Sequence, residues 1–143
     1  MPELAELFVI EMRRRREALT MSQHTLGAQL GLDRNTISRM ERTAPNLSVD
    51  KAAAIATALG TSLSAMLGGK ESEVPGAEIV RLFGTRVREV RLSRGWNQRE
   101  LSEHVGVDRN WISAIESGKK NISLRTLEKF ATALAVLPLD LLG

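Results

Sequence analysis

QHTLGAQLGLDRNTISRME, residues 23–41, and QRELSEHVGVDRNWISAIE, residues 98–116, are two versions of one pattern. Laid over each other, they share Gln23/Gln98, Leu26/Leu101, Gly31/Gly106, Asp33/Asp108, Arg34/Arg109, Asn35/Asn110, Ile37/Ile112, Ser38/Ser113 and Glu41/Glu116. The same register runs on through Asn46/Asn121 and Ser48/Ser123 to Ala56-Thr57-Ala58-Leu59 over Ala131-Thr132-Ala133-Leu134. About twenty identities over about sixty positions, with no gap, mark an internal duplication. Each unit of roughly 65 residues is near the lower size limit for a domain that folds alone. Between them GGKESEVPGAE, rich in Gly, Pro and charge, reads as a linker. The expected organisation is one unit over residues 1–69, a linker over 70–77 and a second unit over 78–143.

Working outward from the repeat, the punctuation is helical throughout. Pro2 opens a long helix whose apolar Leu4, Leu7, Phe8, Ile10 and Met12 recur at helical spacing. Ser22 is a good N-cap for a helix over Gln23 to Leu30, which Gly31 ends. Asp33 caps a third helix from Arg34 to about Arg42, Ser48 a fourth through Leu59 and Gly60, and Ser62 a short fifth. The second unit repeats this with Asn97, Asp108 and Ser123 as caps, and with Pro138 near the first turn of its last helix. No segment alternates with the period of a strand. The expected fold class is all-α, two tandem five-helix bundles.

Composition narrows the function. With 43% hydrophobic and 26% charged residues the chain can bury a core and stay soluble. Its apolar stretches fall far short of the ~20 residues a membrane span needs. In PELAELFVIEMRRRRE the acids precede the apolar residues and the arginines follow, the reverse of a secretory signal. The absence of cysteine removes a disulfide framework and any thiolate metal site. The expected location is the cytoplasm, at the bacterial nucleoid, with no membrane partner. A net charge of +3 says little about nucleic acid by itself, because the placement of charge matters more. Aromatic residues are only 3%, with no tyrosine, which disfavours single-strand stacking platforms and RNA-recognition sheets.

A helix, a tight turn at Gly31-Leu32-Asp33 or Gly106-Val107-Asp108, and a second helix resembles the helix-turn-helix of the Cro/CI (XRE) repressor family. The resemblance covers nearly all of both halves. It implies lambda-repressor-like domains whose second motif helix enters the major groove while the first crosses the backbone. The glycine takes a positive φ, and Leu32 or Val107 packs inward to set the angle between helices. In the family the glutamine opening the first motif helix binds a phosphate, which carries over to Gln23 and Gln98. On the recognition helix, Arg34, Asn35, Ser38 and Arg39, with Thr36 beside them, are expected to face DNA. In the second unit Arg109, Asn110, Ser113 and Ala114 face it, with Trp111 beside them. Ile37, Met40, Ile112 and Ile115 form the inward stripe. Arg bonds bidentately to guanine and Asn to adenine, so the Arg-Asn pair suits base reading.

The copies diverge where specificity would sit, at Thr36 against Trp111 and Arg39 against Ala114. Three surroundings stay open for Trp111: a thymine methyl, the sugar-phosphate wall, or a neighbouring helix. Trp96, in place of Met21, reads as a core residue. The family pattern also places Arg16 with Glu41, and Arg91 with Glu116, in internal salt bridges holding helix one to the recognition helix. The run Arg13–Arg16 lies mid-helix, so its side chains point in different directions and cannot form one patch. After the recognition helix, Lys119, Lys120 and Asn121 sit in a loop that would meet the DNA backbone, where the first unit has only Arg42 and Asn46. The second unit is therefore expected to grip phosphates more firmly. Its VDRNWISAIESGKKNISLRTLEKF is also similar to restriction–modification controller proteins, single-domain members of the family that dimerise through their last helices.

Nothing in the chain meets the requirements of an active site, so no enzyme, cofactor, metal or small-molecule ligand domain is expected. His24 and His104 are out of register and have no partners at metal-ligand spacing. Two functions from different classes remain. The first is a sequence-specific, double-stranded-DNA-binding transcriptional regulator, a repressor, reading two half-sites of an operator. The second is an antitoxin or antiactivator in which one unit has become a protein-binding module, with the small, apolar KAAAIATALG helix as the candidate surface. Within the first, one chain as a covalent pseudo-dimer competes with a homodimer of four motifs. The apolar surface of helix five favours the homodimer.

Overall fold

The computed structural model describes residues 3–142, and Pro2, the expected opening of the first helix, lies outside them. Among these residues the chain is helical, without a named strand. The first unit contains α1 (Leu4–Ala18), α2 (Gln23–Leu30), α3 (Arg34–Thr43), α4 (Val49–Ala58) and α5 (Leu63–Met66). The second contains α6 (Gly76–Ser93), α7 (Gln98–Val105), α8 (Arg109–Glu116) and α9 (Leu124–Leu134). Its last element is a 3-10 turn, Pro138–Leu141, where the sequence suggests a fifth helix. Pro138 at its first position and Asp140 Oδ2, which accepts from Leu137 N at 3.0 Å, form its N-terminal start.

The expected caps lie where the sequence puts them. Ser22, Asp33, Ser48 and Ser62 accept from the N–H groups of Thr25, Thr36, Lys51 and Ala65. Asn97 forms a capping box with Glu100, Asp108 accepts from Asn110 N, and Ser123 from Thr126 N. Gly31 (φ 70°) and Gly106 (φ 85°) end the first motif helices in the left-handed conformation that makes the tight turn possible.

The two units share one continuous core, which runs from Phe8, Met12, Leu26, Ile37 and Ile55 through Phe83, Leu101, Ile112, Leu124 and Phe130. Phe83 and Phe130 meet edge to face at 5.6 Å. Between units, α1 packs on α9 and α6 packs on α4. Where α4 and α9 begin, Ser48 and Ser123 form an isolated antiparallel bridge. Val49 N donates to Ile122 O at 2.7 Å and Leu124 N to Leu47 O at 2.9 Å. Leu4 N also donates to Glu128 Oε1 at 3.0 Å, and Arg125 N to Asn46 Oδ1 at 3.0 Å, so each unit caps a helix of the other.

The segment between the units is held rather than free. Glu71 is hydrogen-bonded by Thr61 and lies 3.9 Å from Arg15, while Ser72 N donates to Ser62 Oγ. The last elements are buried inside the chain: Leu63, Met66 and Leu67 in the first unit, Leu141 and Leu142 in the second. Leu137, which leads into the last element, is exposed, and Leu139 is half-buried. In the KAAAIATALG helix Ala52, Ala53, Ile55, Ala56 and Leu59 are buried, while Ala54 is exposed and Ala58 half-buried.

Candidate nucleic-acid interface

Each recognition helix is fixed from behind by an ion pair. Arg16 is 9% exposed, and donates through Nε and Nη2 to Glu41 at 2.8 and 3.0 Å. Arg91 does the same to Glu116 at 2.6 and 2.9 Å. In both units the remaining Nη1 donates to a carbonyl ahead of the first motif helix, Met21 O or Trp96 O. Hydrogen bonding to the glutamate raises the pKa of each arginine above its ordinary value. One guanidinium thus ties helix one, the entry to the motif and the end of the recognition helix together. The other arginines of the 13–16 run diverge, Arg13 to Glu17 and Arg14 and Arg15 to Glu11.

The same glutamates orient the expected phosphate-binding amides. Gln23 Nε2 donates to Glu41 Oε1 and Gln98 Nε2 to Glu116 Oε1, each at 3.2 Å. A primary amide carries two N–H groups, so one held inward leaves the other for an anion at the helix N-terminus. Beside Gln98 lies a depression of about 410 Å³ lined by Arg91, Asn97, Gln98, Arg99 and Arg109. Arg99 was not among the residues singled out in the sequence. Its place next to Gln98 in the first turn is the signal that points to it, and the first unit has His24 there.

On the recognition helices, Arg34, Asn35 and Arg39 are exposed, with Thr36 and Ser38 half-buried. In the second unit Arg109, Asn110 and Ser113 are exposed and Ala114 is half-buried. Ile37, Met40, Ile112 and Ile115 are buried as the inward stripe. The structure brings Gln98 and Arg109 to one depression and sets Arg34 and Asn35 side by side on the first turn of α3.

Of the three surroundings open to Trp111, the structure supplies the neighbouring helix. Its ring is half-buried, 6.4 Å from that of Phe130, and Lys120 Nζ lies 5.0 Å over it. Lys120 is thereby drawn onto the protein, whereas Lys119 and Asn121 are exposed in the loop. In the first unit Asn46 Oδ1 accepts from Arg125 N of α9, and Arg42 is exposed in the last turn of α3. Trp96 stacks on His104 at 4.0 Å and lies against the core.

Residues 12–66 and 87–142 each match the helix-turn-helix family HTH_3. The chain is 37% identical over 81 residues to a hypothetical transcription factor of Neisseria meningitidis, a match covering 54% of this chain and 76% of that protein. To the control protein C.BamHI of Bacillus amyloliquefaciens it is 45% identical over 62 residues, covering 43% of this chain and 76% of that protein. Among solved structures, the restriction-modification controller protein C.AhdI from Aeromonas hydrophila is 39% identical, with a TM-score of 0.42. That match covers 43% of this chain and 94% of the controller.

Proposed function

From the premise that this chain belongs to the XRE-type helix-turn-helix family of DNA-binding transcriptional regulators, we propose that it is a repressor reading an operator in double-stranded DNA through α3 and α8. The observation that carries this reading is the exposed Arg-Asn pair on the first turn of both recognition helices, Arg34-Asn35 and Arg109-Asn110. A buried ion pair holds the far end of each recognition helix and Asp33 or Asp108 caps its start, so each helix is held in one orientation before DNA arrives.

Gln23, Gln98, Arg99 and Lys119 are assigned to phosphates, where they set register, and the Arg-Asn pairs to base edges, where they set sequence. The protein works on DNA, without a catalytic step or cofactor, in the cytoplasm at the nucleoid. The protein-binding alternative would have only exposed Ala54 and half-buried Ala58 as apolar surface on α4, since Ala52, Ala53, Ile55 and Ala56 are buried.

The test is selection from random duplex DNA at two salt concentrations, followed by gel shifts with substituted chains. Arg34→Ala with Asn35→Ala, and separately Arg109→Ala with Asn110→Ala, should each lower affinity for the selected site by about 5- to 150-fold, from ~1–3 kcal/mol per good bidentate contact. Gln98→Ala should weaken binding to all sequences alike and flatten the salt dependence. If neither double substitution changes affinity, the recognition helices do not read DNA.

A further inference from the structure

We infer that one chain is a complete, closed pseudo-dimer that occupies one two-part operator alone and in a single orientation, an inference that rests on the DNA-binding reading above. The decisive observation is what happens when the two units are exchanged. Each residue of the first unit corresponds to the residue 75 positions later, as in Gln23/Gln98. Under that exchange the bond Val49 N to Ile122 O becomes Leu124 N to Leu47 O, which the structure also contains. The Ser48–Ser123 bridge maps onto itself, and α1 on α9 maps onto α6 on α4. Contacts that return to themselves on exchange are isologous, the pattern of a two-fold dimer interface, whereas the side-chain caps from Glu128 and Asn46 lack a counterpart among the described residues. Here both halves of that interface belong to one chain.

Such an interface uses each patch once, so a second chain finds the patches covered. Leu47, Val49, Ile122 and Leu124 are 6%, 0%, 3% and 0% exposed, and Leu63, Met66, Leu141 and Leu142 of the last elements are buried with them. The segment between the units does not act as a loose tether, because Glu71 and Ser72 are fixed to Arg15, Thr61 and Ser62. The two recognition helices therefore stand in one fixed relation, as a two-fold dimer would hold them.

The symmetry of packing is not matched at the reading surface. Both units present Asp-Arg-Asn and a serine, but the first adds exposed Arg39 where the second has Ala114. A guanidinium bonds bidentately to guanine, while an alanine side chain offers only a methyl contact. The ligand is accordingly a duplex of two inverted half-sites sharing the bases read by Arg and Asn. Only one half requires a guanine at the step reached by Arg39. Because that guanine has no counterpart in the other half, the chain binds in one direction.

The experiment separates this inference from the function it rests on. Sedimentation equilibrium of the free chain needs no DNA: a mass of one chain up to tens of micromolar supports the closed pseudo-dimer, and a two-chain species overturns it. Gel-shift selection with complexes weighed by light scattering then reads stoichiometry and sequence together. One chain per selected site, with a guanine preference in one half that Arg39→Ala lowers about tenfold or more, is the expected result. Ala114→Arg should add that preference to the other half and make the selected site palindromic. Two chains per site, or identical half-sites unchanged by Arg39→Ala, would overturn the inference. A monomeric chain that selects no sequence would instead overturn the regulator reading and leave the packing argument standing.

Discussion

Replacing Glu116 by alanine would strand Arg91 where water does not reach it. The two side chains are 8% and 4% exposed, and the substitution removes two charge-assisted hydrogen bonds of 2.6 and 2.9 Å while leaving the bond from Arg91 Nη1 to Trp96 O. Removing one partner of a buried pair costs about 3–5 kcal/mol, because the surviving charge stays desolvated. At about 4 °C per kcal/mol for a chain of this size, Tm should fall by about 12–20 °C. Urea melts followed by circular dichroism would give the same loss as a shift in midpoint without a change in slope. The double substitution Arg91→Met with Glu116→Leu removes both charges and should recover most of the stability. It should not recover DNA affinity, since Gln98 loses the acceptor that orients its amide. A loss below about 1 kcal/mol for Glu116→Ala would put the pair in the class of surface ion pairs and refute the reasoning.

Three further perturbations follow from particular contacts. A Cβ on Gly84 would lie 2.1 Å from Ile115 O, so Gly84→Ala should push α6 off the recognition helix. A destabilisation of about 1–3 kcal/mol or more is expected in thermal melts, and a wild-type melting curve would contradict the close approach. Trp111→Ala should cost about 2 kcal/mol by exposing Phe130, half the figure for a fully buried aromatic, whereas Trp111→Phe should keep operator affinity within about threefold if the ring packs rather than reads thymine. The backbone N–H of Thr36 holds the Asp33 carboxyl below its ordinary pKa. Its folded value is therefore below its unfolded one, so its stabilising effect is present above the unfolded pKa of about 3.9 and is lost as pH falls through the folded one. Asp33→Asn keeps the cap but removes the ionisation. The stability gap between wild type and variant should shrink below about pH 4, and a constant gap would exclude this origin.

Element positions were legible because they depend on local chemistry that the sequence states outright. Asp33, Ser48, Asn97 and Ser123 cap, Gly31 and Gly106 turn, and the stripes Ile37/Met40 and Ile112/Ile115 face inward. The ion pairs of Arg16 and Arg91 were readable from the family pattern, because a charge buried against an apolar helix needs a partner. What sequence did not reveal was the relation between the units. The strand-like bridge at Ser48 and Ser123 is too short to leave a pattern of alternation, and its partners are 75 residues apart. A Gly- and Pro-rich segment reads as flexible whether or not Glu71 later finds Arg15 and Thr61. The place of Lys120 over the Trp111 ring was likewise not legible, because the two are nine residues apart in a helix and a loop.

Covalent closure also accounts for where the two copies differ. In a homodimer one recognition helix serves both half-sites, so any substitution on it changes both at once and keeps the site palindromic. With both readers in one chain, Arg39 and Ala114 are free to differ, while the bridge between the units keeps serine caps and aliphatic side chains in both copies. The pattern follows that division. Leu47/Ile122 and Val49/Leu124 exchange one aliphatic side chain for another at the bridge, and the Ser48/Ser123 caps are identical. Divergent pairs also occur on the reading helix and behind it. Gly84 admits the carbonyl of Ile115 against α6, where the first unit has Val9. Thr36 faces Trp111 across the exchange, and that ring in turn engages Lys120. A symmetric scaffold with asymmetric readers is what a directional two-part site requires, and fusing the units is what permits it.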